Sequence, residues 1–334
     1  MQSPERRARR APFKRILICL SVLLLFVGAC ASPNSSGGAE GSDYPQKAIQ
    51  LIVPWSAGGD TDAIFRLVGE GLTEELGQSV VIRNVAGGGG SVGAQQALNA
   101  ENDGYTLLAG HDSIAISNLT GQTDFGYFDF EPVALMTSTY DFVATPADSP
   151  WNSMEEMIKD AETNPGKVTF GASIGSTSEL EPALIQAATG VQFNIVGYQD
   201  TAARMQALAG SHVDLGGVSV VAGKEYLDAG KLKLLGYFGD ERSDAVPDVP
   251  TLKEQGIDVS TATNRGVFAP KGTPDAIVEK LSTAMEKVAS SEDFATTLRN
   301  LGTEVNYMGH KDYRSFLQKN TKEMESAMKK AGMI

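Results

Sequence analysis

Short apolar runs alternate along this chain with segments in which apolar residues recur every three or four positions. The first run, at residues 51–53, is continuous and is typical of a buried parallel strand. Apolar residues then follow at positions 64, 67, 68, 72 and 76, which is the spacing of one helix face, and Gly77 stands where a left-handed C-cap belongs. Similar pairs continue to the C-terminus, so the pattern predicts an α/β fold.

A glycine-bearing turn joins this first strand to its helix. Pro54 ends the strand, and the nearly bare backbone that follows lets a ligand approach, while Asp60 or Thr61 could cap the helix. Free N–H groups and the helix dipole would favour a carboxylate or phosphate here, although a strand-to-helix turn without a ligand remains the alternative. The predicted ligand contacts are Trp55, Ser56, Ala57, Gly58, Gly59, Asp60 and Thr61, and Trp55 could either stack on a ligand or cover the hinge.

A second glycine turn has the same design. We predict a strand over 80–85, a loop over 86–90 and a helix from Ser91. Gly88, Gly90 and Gly93 match G-x-G-x-x-G, so a dinucleotide site is an alternative; Asp112 is the nearest candidate partner for a ribose, but this strand is not the first of its domain. The predicted contacts in this region are Gly88, Gly89, Gly90, His111 and Asp112.

The second half of the chain supplies a facing set of polar residues. We expect strands over 167–171 and 193–196, with helices over 178–189 and 202–209. Residues 171–175 read G-x-S-x-G, but Thr177 or Ser178 looks like the helix N-cap, and only His212 or His310 could complete a triad, so a serine hydrolase is a minor alternative. Asp200 could cap a helix or receive an amino group, and Arg265 could bind a carboxylate or form a salt bridge. The predicted contacts are Ser173, Gly175, Ser176, Thr177, Tyr198, Asp200 and Thr201.

The N-terminus has the pattern of a lipoprotein signal. Six basic residues precede the apolar run 16–27, and small residues lead to Cys30. The run is too short for a comfortable membrane span, so we predict that residues 1–29 are removed and that Cys30 carries a diacylglyceryl group with palmitate-type chains. An uncleaved anchor and an ordinary secretory signal are the alternatives. Residues 30–43 form a flexible tether.

Composition narrows the possible chemistry. The only two cysteines are Cys19 and Cys30, so the chain from Tyr44 onward can form no disulfide and offers no thiol ligand or nucleophile. The net charge is −13, and removal of residues 1–29, with six basic residues and one acidic residue, leaves −18. Such a chain repels nucleic acid and anionic membrane, so a lipid would be its only membrane contact. We predict no metal and no cofactor, because no spacing of ligands or triad residues indicates them.

Three blocks in the first half carry a resemblance to a known family: YPQKAIQLIVPWSAGGDTD, LGQSVVIRNVAGGGGSVGAQQAL and DGYTLLAG. Their order and spacing, with the later DFEPVALM, NPGKVTFGASIGS and APKGTP segments, resemble the Bug-type substrate-binding proteins of tripartite tricarboxylate transporters. Two blocks depart from the family pattern. Many members have V-P-Y-x-G where this chain reads IVGYQDTAA, and many have a histidine where it reads TSELEPAL.

The resemblance implies a periplasmic-binding-protein-like fold, type II-like, in which two α/β lobes close on a small organic acid. It also implies membrane permease subunits as partners and no enzymatic activity, and we expect a monomer. We predict that residues 44–145 and 262–334 form lobe one and that residues 146–261 form lobe two, with two crossings that make a hinge. A secreted or anchored enzyme and a cell-surface sensor or scaffold protein are the competing interpretations.

Overall fold

Two mixed β-sheets organise residues 43–334, the part of the chain that the computed structural model describes. The predicted signal peptide, Cys30 and all but the last residue of the tether lie outside the described residues. In chain order the strands are β1 (Ile49–Val53), β2 (Val80–Asn84), β3 (Thr106–Gly110), β4 (Phe130–Thr139), β5 (Phe142–Pro146), β6 (Thr169–Ala172), β7 (Asn194–Gly197), β8 (Leu215–Val218), β9 (Leu232–Tyr237), β10 (Thr263–Pro270) and β11 (Glu304–Gly309).

Ten α-helices cover the faces of these sheets in the described chain, and none of them is both long enough and apolar enough to cross a membrane. They are α1 (Asp60–Leu76), α2 (Ser91–Leu98), α3 (Ser113–Leu119), α4 (Met154–Thr163), α5 (Thr177–Thr189), α6 (Thr201–Ala209), α7 (Val220–Asp228), α8 (Asp275–Ala289), α9 (Glu292–Asn300) and α10 (His310–Lys330).

The first sheet has the strand order β11-β4-β10-β3-β1-β2 and, with its helices, forms lobe one. Strands β2 and β3 run parallel to β1, whereas β10 is antiparallel to both β3 and β4. Successive residues of β1 serve opposite faces: Leu51 packs in the core with α1 and α8, and Ile52 packs in the core with α2, α3 and α10. Both faces are therefore covered, which explains the unbroken apolar run.

The second sheet has the order β7-β6-β8-β5-β9 and forms lobe two. In its core, Trp151, which precedes α4, and Met157 of α4 pack together with Phe170 of β6 and Ile185 of α5. The two-lobed α/β fold predicted from the sequence is confirmed. Strand β5 lies in this sheet, antiparallel to β8 and β9, so residues 142–145 belong to lobe two and not to lobe one, where they were predicted.

The C-terminal helices pack on the first sheet. Leu281 and Met285 of α8 pack beside α1, and Tyr313 and Leu317 of α10 pack on the opposite face of the first sheet. Strand β11, which the periodicity did not predict, adds an edge to the same sheet. The chain thus passes between the lobes twice, after β4 and before β10, so side chains at the facing ends of the two sheets can meet.

Candidate functional site

A small cavity lies between the two lobes, where the carboxyl ends of β1 and β3 face the N-termini of α5 and α6. Its volume is about 50 Å³. Twelve predicted contacts line it: Trp55, Ser56, Ala57, Gly59, Asp60, Thr61, His111, Ser173, Ser176, Thr177, Asp200 and Thr201. Seven further residues line it that were not among the predicted contacts: Asp62, Asp141, Ser178, Ala202, Arg204, Thr263 and Arg265.

The lobes contact one another around this cavity through hydrogen bonds. Ser56 Oγ in lobe one donates to Asp200 Oδ2 in lobe two at 2.8 Å. Thr263 Oγ1, at the start of β10, donates to Thr177 Oγ1 at 3.0 Å, and Ser117 Oγ of α3 donates to the Gly175 carbonyl at 3.2 Å. The structure is therefore a closed arrangement in which hydroxyl groups join the lobes.

The first glycine turn uses part of its N–H capacity on the protein's own carboxylates. Gly59 is the N-cap of α1 and makes no side-chain cap bond, so the predicted capping by Asp60 or Thr61 is wrong. Instead the Gly58 N–H donates to Asp62 Oδ2 at 2.9 Å, and the Thr61 N–H donates to Asp60 Oδ1 at 2.8 Å. Gly58, with φ of +86°, supports the turn from outside the cavity lining.

Both of these carboxylates have cationic partners in lobe one. Arg265, which is 2 % exposed, donates from Nη2 to Asp60 Oδ2 at 2.5 Å, so the salt bridge is the interpretation that the structure supports. Asp62 accepts from Arg66 Nε at 2.9 Å and from Asn84. Burial alone would raise the pKa of Asp62, but the hydrogen bonds from Arg66, Gly58 and Asn84 lower it overall.

Trp55 stacks on His111 rather than covering the hinge. Their ring centroids are 3.8 Å apart and their planes differ by 13°. Burial, and then the positive charge of Arg265, holds the pKa of His111 well below its usual range, so the imidazole is neutral at pH 7. The Ser113 N–H donates to Nδ1 at 3.1 Å, which assigns the proton to Nε2. His111 is therefore a neutral hydrogen-bond donor at the cavity wall.

The second glycine turn lies beside the cavity and does not line it. A Cβ on Gly89 would come within 2.8 Å of the Ile174 carbonyl oxygen in lobe two, and one on Gly90 would come within 2.7 Å of the Trp55 ring. Positive φ angles run from Gly87 through Gly90. The absence of a side chain at Gly89 thus lets two backbones approach across the cleft, whereas Gly88 and Gly90 have their close neighbours, Ser91 and Trp55, within lobe one. None of the three glycines lines the cavity in which they were predicted to contact a ligand.

Asp112 is buried, has a structural role as a hydrogen-bond acceptor and does not line the cavity. Its Oδ1 accepts from Tyr127 at 2.9 Å and from Asn320 at 2.7 Å, and its Oδ2 accepts from the Asn264 N–H at 2.7 Å. Burial raises its pKa, and these hydrogen bonds oppose that rise. The carboxylate ties the end of β3 to β10 and α10, so neither a ligand nor a ribose is needed to explain it.

The turn before α5 is also satisfied by its own side chains. Ser176, rather than the predicted Thr177 or Ser178, is the N-cap of α5. The Gly175 N–H donates to Glu179 Oε2 at 2.7 Å, and the Ser173 N–H donates to Ser178 Oγ at 2.9 Å. Gly175 does not line the cavity. Hydroxyl groups, more than free N–H groups, are what this turn presents to the cleft.

Asp200 caps α6, which was one of the two interpretations of this residue, and it also faces the cleft. Its Oδ1 accepts from the Ala203 N–H at 2.9 Å, which caps α6, while its Oδ2 accepts from Ser56 across the cleft. Tyr198 packs into the smaller core of lobe two, near Gly171, and does not line the cavity. Arg204, one helical turn after Asp200, is 4 % exposed and does line it.

A buried charge cluster in lobe two was missed by the sequence analysis, because its members lie far apart in the chain and follow no motif. Burial and then the charge of Asp141 raise the pKa of Glu181 well above its usual range, and burial and then the charge of Asp60 raise that of Asp141. Arg204 opposes both shifts. Glu181 is therefore the protonated partner, and Asp141 carries the negative charge that balances Arg204.

Within residues 43–334 the serine-hydrolase alternative finds no assembled triad. Ser173 Oγ is 3.5 Å from Arg204 Nη1, a long contact, whereas His212 is exposed and His310 lies 3.4 Å from Glu279. Within residues 43–334, no group of three or more His, Cys, Asp or Glu side chains is arranged to hold a metal ion.

Comparison with known proteins places this geometry in a family. Residues 64–333 match the family described as "Tripartite tricarboxylate transporter family receptor". Among curated relatives, the "UPF0065 protein in gbd 5'region" of Cupriavidus necator is 34 % identical over 312 residues, which cover 92 % of this chain and 93 % of that protein.

Solved structures of similar proteins support the same family assignment. The R. palustris protein Rpa4515 with adipate has a TM-score of 0.82 at 30 % identity, covering 87 % of this chain and 99 % of that one. The periplasmic binding protein BugD has a TM-score of 0.81 at 29 % identity, with the same coverage. MatC from Rhodopseudomonas palustris with bound malate has a TM-score of 0.79 at 28 % identity, covering 85 % and 99 %.

These matches confirm the resemblance read from the sequence blocks. They come from a family of receptors rather than enzymes, and from periplasmic binding proteins, so the chain is an extracytoplasmic binding protein without catalytic activity. The chain belongs to the tripartite tricarboxylate transporter receptor family of solute-binding proteins.

Proposed function

We propose that this chain captures a small carboxylate in the interlobe cavity and presents it to the membrane permease of a tripartite tricarboxylate-type transporter. The observation that carries the proposal is the closure of two lobes over a cavity lined by hydroxyl groups and the neutral donor His111. Two structural relatives at 30 % and 28 % identity hold adipate and malate, which are both dicarboxylates.

Binding proceeds by closure in this proposal. The segments after β4 and before β10 act as the hinge between lobe one and lobe two, and an open form admits the ligand. Hydroxyl groups of Ser56, Ser176 and Thr177 then surround it, and the closed monomer is what the permease recognises. Because the cavity is small, ligands of few heavy atoms fit with little further movement of the lobes.

Calorimetry against mono-, di- and tricarboxylates tests this function. We expect saturable binding of at least one acid, and we expect His111→Phe to weaken it about tenfold, since phenylalanine keeps the stack on Trp55 but lacks the Nε2 donor. The exposed His212→Asn variant is the control and should bind like the wild type. Absence of binding by every carboxylate, or binding of a nicotinamide dinucleotide alone, would contradict the proposal.

We further propose that a lipid on Cys30 holds the protein at the membrane, on the basis of the sequence pattern alone. Metabolic labelling with palmitate should label the wild type and not Cys30→Ser, and mass spectrometry should find residues 1–29 removed. An intact N-terminus would instead favour an uncleaved anchor, and an unlabelled, cleaved chain would favour an ordinary secretory signal.

A further inference from the structure

Acidic side chains outnumber basic side chains in the lining of the cavity. Four carboxylate side chains line it, and two guanidinium groups, Arg204 and Arg265, do so too. A site that received only a dicarboxylate would gain from an excess of cationic groups, and this one has the opposite excess. The acidic lining residues are Asp60, Asp62, Asp141 and Asp200.

Lobe one neutralises its own share of these charges. Asp60 pairs with Arg265, which is also fixed by hydrogen bonds to Thr61 and Thr139. Asp62 pairs with Arg66 at 2.9 Å. Arg265 is therefore committed to lobe one and is poorly placed to receive a ligand carboxylate.

In lobe two, Arg204 is the cationic group with an unused hydrogen-bond donor. It is 4 % exposed, its Nη2 donates to the Gly217 carbonyl at 3.2 Å, and its Nε has no hydrogen-bond partner anywhere in residues 43–334. Glu181 is held in its protonated form by burial and by the charge of Asp141, so Asp141 alone balances Arg204. The buried Nε is thus a donor without an acceptor, on a side chain that lines the cavity.

Asp200 is then the carboxylate left without a counter-ion. Its partners are the Ala203 N–H and the Ser56 hydroxyl, and within the described chain no Lys, Arg or His side chain forms an ion pair with it. Asp200 and Arg204 lie at the N-terminus of α6, one turn apart, and both line the cavity. An anionic and a cationic group thus share one wall.

We propose that the cavity selects a small amino acid, with its ammonium group toward Asp200 and its carboxylate toward Arg204. This inference rests on the proposed function of the cleft and names the ligand class more narrowly. Asp200 lies in the IVGYQDTAA block and Glu181 in the TSELEPAL block, so the two departures from the family pattern supply residues that create this charge arrangement.

Calorimetry with matched ligand pairs tests the proposal on the purified protein. The pairs are aspartate with succinate and alanine with propionate, which differ by the ammonium group. We expect the amino acid of at least one pair to bind at least tenfold more tightly than its partner. Asp200→Asn should reduce amino acid affinity at least tenfold and change binding of the partner acid less than threefold, since asparagine preserves the helix cap.

Two controls separate recognition from folding and closure. Asp244→Asn removes an exposed carboxylate elsewhere on lobe two and should leave both affinities unchanged. Ser56→Ala removes the hydrogen bond to Asp200 but keeps its charge, so it should weaken both members of a pair equally.

The inference is overturned if succinate and propionate bind more tightly than their amino counterparts, or if Asp200→Asn weakens both members of each pair equally; the carboxylate-binding function would survive either result. Failure of all four compounds and of every other carboxylate would instead remove the proposed function itself.

Discussion

At the scale of single residues, the cleft is controlled by protonation as much as by position. Glu181 is buried beside Asp141, Arg204 and Asp60, and its Oε2 has no hydrogen-bond partner in the described chain. Keeping this carboxyl neutral avoids a second buried negative charge next to Asp141. His111 is held neutral by the same physics, through burial and a like-signed neighbour. Both groups therefore act as hydrogen-bond donors at neutral pH.

The raised pKa of Glu181 makes stability depend on pH. In the unfolded chain this carboxyl loses its proton near pH 4.5, whereas the folded protein retains it, so the stabilisation is complete below pH 4.5 and is lost as the pH rises toward the raised pKa. Glu181→Gln stays neutral at every pH. We expect its melting temperature to exceed that of the wild type by about 2 °C or more at pH 8, and this advantage to vanish near pH 4.5.

Thermal unfolding followed by circular dichroism at the two pH values measures this difference. Glu162→Gln, on the exposed face of α4, is the control, and its melting temperature should equal that of the wild type at both pH values. An advantage of the same size at pH 4.5 and pH 8 would mean that Glu181 is already ionised in the folded state.

At the scale of elements, the two glycine turns have divided roles. The first, between β1 and α1, contributes Ser56 to the cavity, and two of its N–H groups, those of Gly58 and Thr61, donate to Asp62 and Asp60. The second, before α2, gives lobe one a bare surface against which the turn at Ile174 can rest. Both turns look alike in the sequence because both need glycine, but only one of them meets the ligand space.

Gly89→Ala should therefore impair closure. An added Cβ would meet the Ile174 carbonyl oxygen at 2.8 Å, so the lobes must separate locally, and we expect ligand affinity to fall at least fivefold. Gly121→Ala is a matched control, because it has a similar φ (+72° against +63°) but open space around the new Cβ. Both variants should lose about 1 kcal/mol of folding free energy from backbone strain. Equal affinities in the two variants would show that the contact at Gly89 is unnecessary for binding.

At the scale of the whole molecule, periodicity predicted the fold well and the cavity in part. The spacing of apolar residues in α1, the C-cap at Gly77 and the return of α8 to lobe one all follow from local patterns and core burial. Asp112 and Gly175 lie outside the cavity lining although they were predicted as ligand contacts, because an acid or a glycine after a strand looks the same whether it meets a ligand or another part of the chain. Asp141, Glu181 and Arg204 converge only through tertiary packing, which no local pattern encodes.

The placement of the two tryptophans gives the protein a built-in optical probe. Trp55 lies at the cavity wall, so a bound solute would change the environment of its indole, whereas Trp151 is buried in the core of lobe two, where its indole N–H donates to Asp160. One fluorophore thus senses the occupied cleft and the other reports the integrity of its lobe. Capture of a colourless solute can be followed in real time without any label, with the second signal as an internal reference.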